Sequence, residues 1–432
     1  MTVYRVPYSR TEIEFDLPPQ MRGTLVVSKS PTPIENVREA IAAALKNPVN
    51  SPPVRSLAKQ GDRVCIVFTD ITRSSPDYLL VPPLLSELKL AGVRDEDITL
   101  LCGVGMHRPS TSKEKAAKLG QEVVDRYRVV DNEPQNPKEL VDLGTSESGI
   151  PLSVNKTAYE ADLLMATGIV EPHQIAGYSG GAKTLSVGAA GEAMIAYTHG
   201  PKMVDNPGTR LGQIEGNLVR DAIDEAARRA RLRFITNAIM NDNGQVLAVR
   251  SGETGATFRE LVTVARSVYE VPVPQQYDVA IAGVGFPKDT NLYQATRAVS
   301  YLCFAKTPVV RPGGTIILPA QCEEGAGAGI GEQRFLEEMR KAKDVHSLVE
   351  KMRRTGYPPG AQRAYFMARA LEQYEVIIVG SKDPSIILDA KMVPASDMKE
   401  ALQIVTKKSK KDLDTIVVPH ALLTLPIVQS SA

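Results

Sequence analysis

Apolar residues in this chain fall in short runs, each closed by a polar tip and followed by an amphipathic stretch. Residues 63–69 (RVCIVFT), 97–102 (DITLLC) and 161–167 (ADLLMAT) are such runs, and they predict buried strands. Helices are predicted at 31–46 and at 78–90, the second interrupted early by Pro82 and Pro83. Residues 11–17 and 23–28 read as short β stretches leading into the first domain. A charged amphipathic helix is expected at 217–231. Runs 232–239 and 245–250 flank Asn241-Asp242-Asn243-Gly244, a strong hairpin signal, and a helix at 256–269 leads out of that domain.

After the proline-rich stretch 271–274, read as a stiff linker, the alternation restarts. Strands are expected at 278–282, 315–319, 376–379 and 415–419, with helices at 333–343, 362–373 and 397–409. A further helix opens after Asp289-Thr290-Asn291 and carries Tyr293, Gln294 and Arg297. The glycine-rich loop 325–331 (GAGAGIG) reads as a mobile rim. The fold class is therefore α/β, with two domains, 1–270 and 275–432, each built on a largely parallel sheet with flanking helices. Ligands of such sheets bind beyond the carboxyl ends of the strands. Parallel strands would bring three tips to one edge: Asp70/Arg73, His107/Arg108 and His173/Lys183.

Composition narrows the class. At 432 residues, with 43% hydrophobic and 23% charged residues, the chain can bury two sizeable cores. A net charge of +1 gives no reason to expect nucleic acid or an anionic membrane as partner. No apolar run is long enough to span a bilayer and the N-terminus lacks a signal-peptide pattern, so a cytoplasmic protein is expected. Cys65, Cys102, Cys303 and Cys322 form no C-x-x-C pair, which argues against a disulfide framework or a structural zinc site.

The candidate chemistry concentrates between Gly168 and Gly200. Two of the five histidines, His173 and His199, lie there, on either side of a glycine cluster and Lys183. Gly177, Gly180 and Gly181 permit close backbone approach, so their amides could cradle an anion. The run Gly-Tyr-Ser-Gly-Gly-Ala-Lys-Thr at 177–184 comes close to a Walker A loop but carries Ala182 where the second glycine belongs. His107 and His173 are acid–base candidates for opposite faces of one carbon, as a racemase requires, or they cap loops. His199 could be a metal ligand or a core-facing polar residue. Arg73, Arg108 and Arg297 could each grip a carboxylate or phosphate, or simply pair at the surface.

Taken together, D-I-T-R at 70–73, G-M-H-R at 105–108, E-P-H-Q-I-A-G-Y-S-G-G-A-K at 171–183, T-H-G at 198–200 and D-T-N-L-Y-Q at 289–294 resemble the nickel-dependent lactate racemase family, in order and across both domains. The resemblance implies a nickel-pincer cofactor, pyridinium-3,5-bisthiocarboxylic acid mononucleotide, covalently attached at Lys183 and made by separate cofactor-biosynthesis enzymes. It implies His199 as the protein's nickel ligand and His107 and His173 as alternating bases toward the hydroxyl of a 2-hydroxy acid. Asp70, Thr72, Gly177, Ser179 and Gly180 would assist cofactor binding. Arg73, Tyr293, Gln294 and Arg297 would hold the substrate, with the site in the interdomain cleft. The implied activity is racemisation or epimerisation by proton-coupled hydride transfer. Two departures point to a substrate longer or more polar than lactate. Arg297 stands where lactate racemases carry lysine, and no tryptophan is present to cover the substrate from the helix near Gln362. The competing readings are a nucleotide-phosphate enzyme using 177–184 as a degenerate P-loop, and a non-catalytic cofactor-binding homologue.

Overall fold

The computed structural model describes residues 2–358 and 360–429. The chain forms two compact units. One comprises Ser30–His199 and Gln213–Val268, and the other Met1–Lys29, Gly200–Gly212 and Tyr269–Ala432.

The first unit holds a six-stranded sheet in the order Val246–Gly252, Leu232–Met240, Leu163–Ile169, Val64–Thr69, Ile98–Gly103, Arg128–Asp131. The Asn-Asp-Asn-Gly hairpin supplies its one antiparallel pair, and every other pairing is parallel. Val64–Thr69 and Leu163–Ile169 are buried at every position, which is why they read as unbroken apolar runs: helices cover both faces of such a sheet. The three predicted strands thus lie side by side and run the same way, so their polar tips emerge at one edge.

The helix Asp77–Leu90 is not interrupted by its prolines; it runs through both. Proline removes two amide donors near the start of this helix. Its Leu80, Val81, Leu84, Leu85 and Leu88 are buried with Ile66, Phe68 and Leu100, and that burial outweighs the loss.

The second unit is built on a wholly parallel sheet, ordered Val393–Ala395, Glu375–Val379, Val310–Pro319, Tyr277–Ala282, Leu413–Val418, Met21–Leu25. Here two expectations are corrected. The N-terminal β stretch does not lead into the first unit; Met21–Leu25 caps the free edge of Leu413–Val418 in the second. An uncapped edge leaves a row of amides and carbonyls unpaired, and a short strand from elsewhere in the chain removes that exposure. The stretch 271–274 is not a linker either, because Glu270–Val273 pairs in parallel with Leu425–Val428. Residues 200–212, between two segments of the first unit, also belong to the second. Asp205 there accepts from Arg353 and Tyr365 and pairs with Arg369.

Beneath the strand tips of the first unit lies a buried ion pair that the sequence did not advertise. Asp77 is fully buried and accepts from the Thr69 hydroxyl (2.6 Å) and amide (3.3 Å), the Ser75 hydroxyl (3.1 Å) and the Thr167 hydroxyl (2.6 Å). Lys118, from the helix Ser112–Leu119, completes the set at 2.9 Å. Its Nζ also donates to the carbonyls of Ser75 (2.7 Å) and Arg73 (3.2 Å). One carboxylate therefore ties the ends of two neighbouring strands to the start of one helix, while its cation fixes the Asp70–Arg73 turn. Removing one partner of such a pair leaves a buried charge uncompensated. Lys118→Met is expected to destabilise this unit by about 3–5 kcal/mol, measured as a shift of its urea midpoint; a loss below about 1 kcal/mol would mean the turn is held by other contacts.

Candidate active site

Asp70 follows directly on the Val64–Thr69 strand and is 4% exposed. His107 comes from the loop after Ile98–Gly103, shaped by its own amide on the Val104 carbonyl (2.9 Å) and the Gly105 amide on the Gly188 carbonyl (2.8 Å). The two meet at 2.7 Å between His107 Nδ1 and Asp70 Oδ2. A carboxylate only accepts, so Nδ1 carries the proton and the ring's lone pair is at Nε2. The Thr72 hydroxyl donates to Asp70 at 2.9 Å and sits 3.4 Å from His107 Nδ1. Burial pushes the Asp70 carboxyl up, but His107, the Arg73 guanidinium and the Thr72 hydroxyl together outweigh it and hold it below its ordinary value. Asp70 stays ionised and holds His107 as an acceptor. Arg108, by contrast, is taken up by a two-point pair with Glu114 on the surface.

His173 lies on a small hairpin in which Pro172–His173 pairs with Gly177–Tyr178. The helix Leu218–Arg229 clamps it from below. Asn217, its N-cap, donates to the Ile175 carbonyl at 2.8 Å, and the buried Arg220 donates to the carbonyls of Ala176 and Tyr178 while stacking on Phe258. Gly177, at φ +71, has the Gln213 carbonyl 2.1 Å from where a Cβ would stand, so no larger residue fits this turn. His173 Nδ1 accepts the amides of Ile175 (3.2 Å) and Ala176 (3.1 Å). Amides only donate, so the proton of a neutral His173 sits on Nε2. The two histidines are set oppositely: His107 to accept a proton at Nε2, His173 to donate there.

Lys183 and His199 form the second part of the site. Burial, with the charges of Arg73 and Arg220, pulls the half-buried Lys183 amine down to about 7 against the weaker pull of Glu171 and Asp70. A near-neutral amine is a competent nucleophile. Burial and then the Lys183 charge pull His199 down to about 4. Its Nδ1 lies 2.9 Å from the Ile195 carbonyl, which places the proton on Nδ1 and the lone pair on Nε2. A neutral imidazole held by a backbone carbonyl is the usual form of a metal-binding histidine. No group of three or more His, Cys, Asp or Glu able to hold a metal occurs among the described residues. One histidine can therefore hold a metal only where a cofactor supplies the other donors, and the residues present fit such a group.

The glycine loop does not form a phosphate cradle of Walker type. The amides of Tyr178, Ser179, Gly181 and Lys183 are already committed, to Ala176, Glu171, Asn237 and Gly180 respectively. The Ser179 hydroxyl donates to the Ile169 carbonyl, and the Thr184 hydroxyl, which a P-loop would give to magnesium, donates to the Thr167 carbonyl at 2.8 Å. Gly180, at φ +80, has the Val170 side chain 2.6 Å from a would-be Cβ. Gly177, Ser179 and Gly180 thus shape the loop that aims Lys183.

In the second unit, Asn291 caps the helix Leu292–Ala295 by accepting the Gln294 amide at 2.9 Å, and Arg297 opens the next helix, Arg297–Cys303. Tyr293, Gln294 and Arg297 are each partly exposed, and Tyr293 and Arg297 lie close to Arg363 of the helix Gln362–Leu371, a residue that sequence reasoning passed over. Only its place beside Gln362, on the helix already marked for the missing tryptophan, could have drawn attention to it. Asp77, Lys118 and Arg220 were likewise unread, since an isolated charge in an amphipathic helix looks solvated.

The lactate racemase N-terminal domain family matches residues 8–212, and the lactate racemase C-terminal domain family matches residues 273–425. The lactate racemase of Thermoanaerobacterium thermosaccharolyticum is 30% identical over 425 residues, 98% of each chain. That of Lactiplantibacillus plantarum is 28% identical over 426 residues, 98% of this chain and 99% of the relative. The structure of the T. thermosaccharolyticum lactate racemase apoprotein superposes with a TM-score of 0.88 at 28% identity, covering 99% of this chain and 100% of that one. Among the described residues no helix is long and apolar enough to cross a membrane. With the strand-tip histidines, the aimed lysine and both domain families matched in order, the chain is an isomerase that belongs to the lactate racemase family.

Proposed function

We propose that this protein racemises or epimerises a 2-hydroxy acid by proton-coupled hydride transfer, using a nickel-pincer nucleotide attached at Lys183. The observation that carries the reading is the opposite setting of His107 and His173 in a unit that also presents a near-neutral lysine. Inverting a carbinol requires one group to take the hydroxyl proton of one enantiomer and another to return a proton to the opposite product. When bound, the cofactor supplies the hydride acceptor that an acid–base pair alone lacks.

The chain's own residues do the rest. Lys183 anchors the cofactor, His199 Nε2 is the protein's ligand to nickel, and Asp70 and Thr72 keep the His107 proton on Nδ1 so that Nε2 accepts. Arg73 in the first unit serves anionic oxygens, and in the second unit Tyr293, Gln294 and Arg297 serve the substrate. The first unit is in this reading the cofactor- and nickel-holding one, and the second recognises substrate. The protein works in the cytoplasm on a small molecule and depends on separate enzymes to make its cofactor.

Three experiments test this. Protein co-produced with the cofactor-making enzymes, given enantiopure 2-hydroxy acids in D₂O, is expected to invert Cα without incorporating deuterium there, as followed by proton NMR. Deuterium at Cα would replace hydride return with direct deprotonation. Second, His107→Gln removes the base and should lower kcat/KM by roughly 10²–10⁴-fold. His173→Gln, whose amide cannot release a proton, should lose about as much as His173→Ala; a clearly milder loss in the glutamine variant would make His173 a hydrogen-bond donor that moves no proton. Third, in cofactor-free protein Lys183 is protonated below about pH 7 and a free amine above it. Its acylation by an N-hydroxysuccinimide ester, read by peptide mass spectrometry, should be half-maximal near that pH, whereas ordinary lysines continue to gain reactivity toward about pH 10. Arg73→Gln should move the midpoint upward, because one of the charges opposing protonation is gone.

A further inference from the structure

Arg363 is a buried cation with no counter-ion among the described residues. It is 4% exposed, its Nη1 donates to the Ser300 hydroxyl at 2.8 Å, and its guanidinium lies 5.5 Å from the centre of the Tyr293 ring and 5.8 Å from that of Phe366. Its buried Nε has no acceptor. Other arginines of this unit differ: Arg353 and Arg369 share Asp205, Arg311 pairs with Asp278 and Arg340 with Asp389. Burial, together with the nearby Arg297, pulls Arg363 down to about 10. Arg297 has no carboxylate partner among the described residues either. The third unmet group is an acceptor, the buried Gln294 Oε1, which has no donor.

A buried guanidinium and an orphaned Nε are costly unless something completes them. The Tyr293 and Phe366 faces and one hydroxyl supply only part of that compensation. Two guanidiniums at one site carry two positive charges, which a dianion balances and a monoacid balances only by half, and Gln294 Oε1 calls for a hydroxyl donor. A planar carboxylate also matches the two-point geometry of arginine.

We propose that Arg363 and Arg297, with Tyr293 and Gln294, form a dianion-recognition site that selects a 2-hydroxy dicarboxylate over a 2-hydroxy monocarboxylate. This rests on the proposed racemase reading for its hydroxy-acid scaffold, while the anion site stands on the groups just named. Arg363 makes the choice, since its charge is the one a monoacid leaves uncompensated.

The test is calorimetric titration of the full chain with malate, lactate and inorganic phosphate, beside inversion assays of the loaded enzyme. Malate is expected to bind at least about tenfold tighter than lactate, a difference of about 1.4 kcal/mol, and Arg363→Met should weaken malate on the order of 100-fold but lactate much less. Should Arg363→Met fail to fold by circular dichroism, Arg363→Lys, which keeps the charge but loses the two-point fork, must still weaken malate more than lactate. Equal affinities for the two acids, or equal weakening of both, overturns the proposal. So does phosphate binding that is tighter than malate and lost in Arg363→Met, which would assign the site to a phosphate group. If malate binding and its Arg363 dependence hold while the loaded enzyme inverts no hydroxy acid, the site stands and the racemase reading falls. Inversion of lactate in preference to malate has the reverse meaning.

Discussion

The arrangement of the first unit depends on one buried ion pair. Asp77 gathers the end of Val64–Thr69, the Thr167 hydroxyl of the neighbouring strand and Ser75 into one carboxylate, and Lys118 carries its charge onward to the carbonyls of Ser75 and Arg73. A buried pair of this kind is a poor source of net stability, because desolvating two charges consumes most of their attraction. What it provides is a fixed position. Asp70 must meet His107 Nδ1 across a gap between adjacent strands, and a turn that drifted by an ångström would lose the bond that sets the histidine's tautomer.

The same logic recurs on the other side of the sheet edge. The His173 hairpin is only two residues deep on each strand and could not hold itself. Asn217 and Arg220 supply what it lacks, donating to the carbonyls of Ile175, Ala176 and Tyr178 from the start of a long helix. Arg220 is thus a positioning residue with a second effect: beside burial and the charge of Arg73, its own charge helps lower the proton affinity of Lys183. One buried cation shapes the loop and tunes the nucleophile at its end.

Those features explain what was legible in the sequence and what was not. The strands were legible because parallel strands covered on both faces must be continuously apolar, and Val64–Thr69 and Leu163–Ile169 are. Asp70 was legible because a polar residue straight after such a run has only the sheet edge to occupy, and His107 and His173 because they stand in the short loops that follow two neighbouring runs. The membership of Met21–Leu25 was not, because an edge strand with one buried residue carries no signal naming its partner some 390 positions away, a pairing set by topology alone. Nor were Lys118, Arg220 and Arg363: a charge in an amphipathic helix has the same local pattern whether its face meets solvent or a buried carboxylate. The prolines of Asp77–Leu90 misled for a related reason, since propensity is local and the burial that overrules it is not.

Cations dominate the electrostatics of the first unit's site. Arg73 and Arg220 both act on Lys183, His199 is held neutral beside it, and Asp70 and Glu171 offset only part of the charge. An assembly of like charges in a partly buried setting relieves itself by losing protons or by taking up an anion. Both routes coincide in the proposed function. Acylation of Lys183 removes one charge permanently, and a ligand that brings a phosphate and sulfur donors to the same place compensates the others. In that proposal the low proton affinity of His199 would serve coordination, because a metal would compete there with no proton at neutral pH. Among the described residues the cations at this site outnumber the anions, so the group it is suited to hold is a negative one.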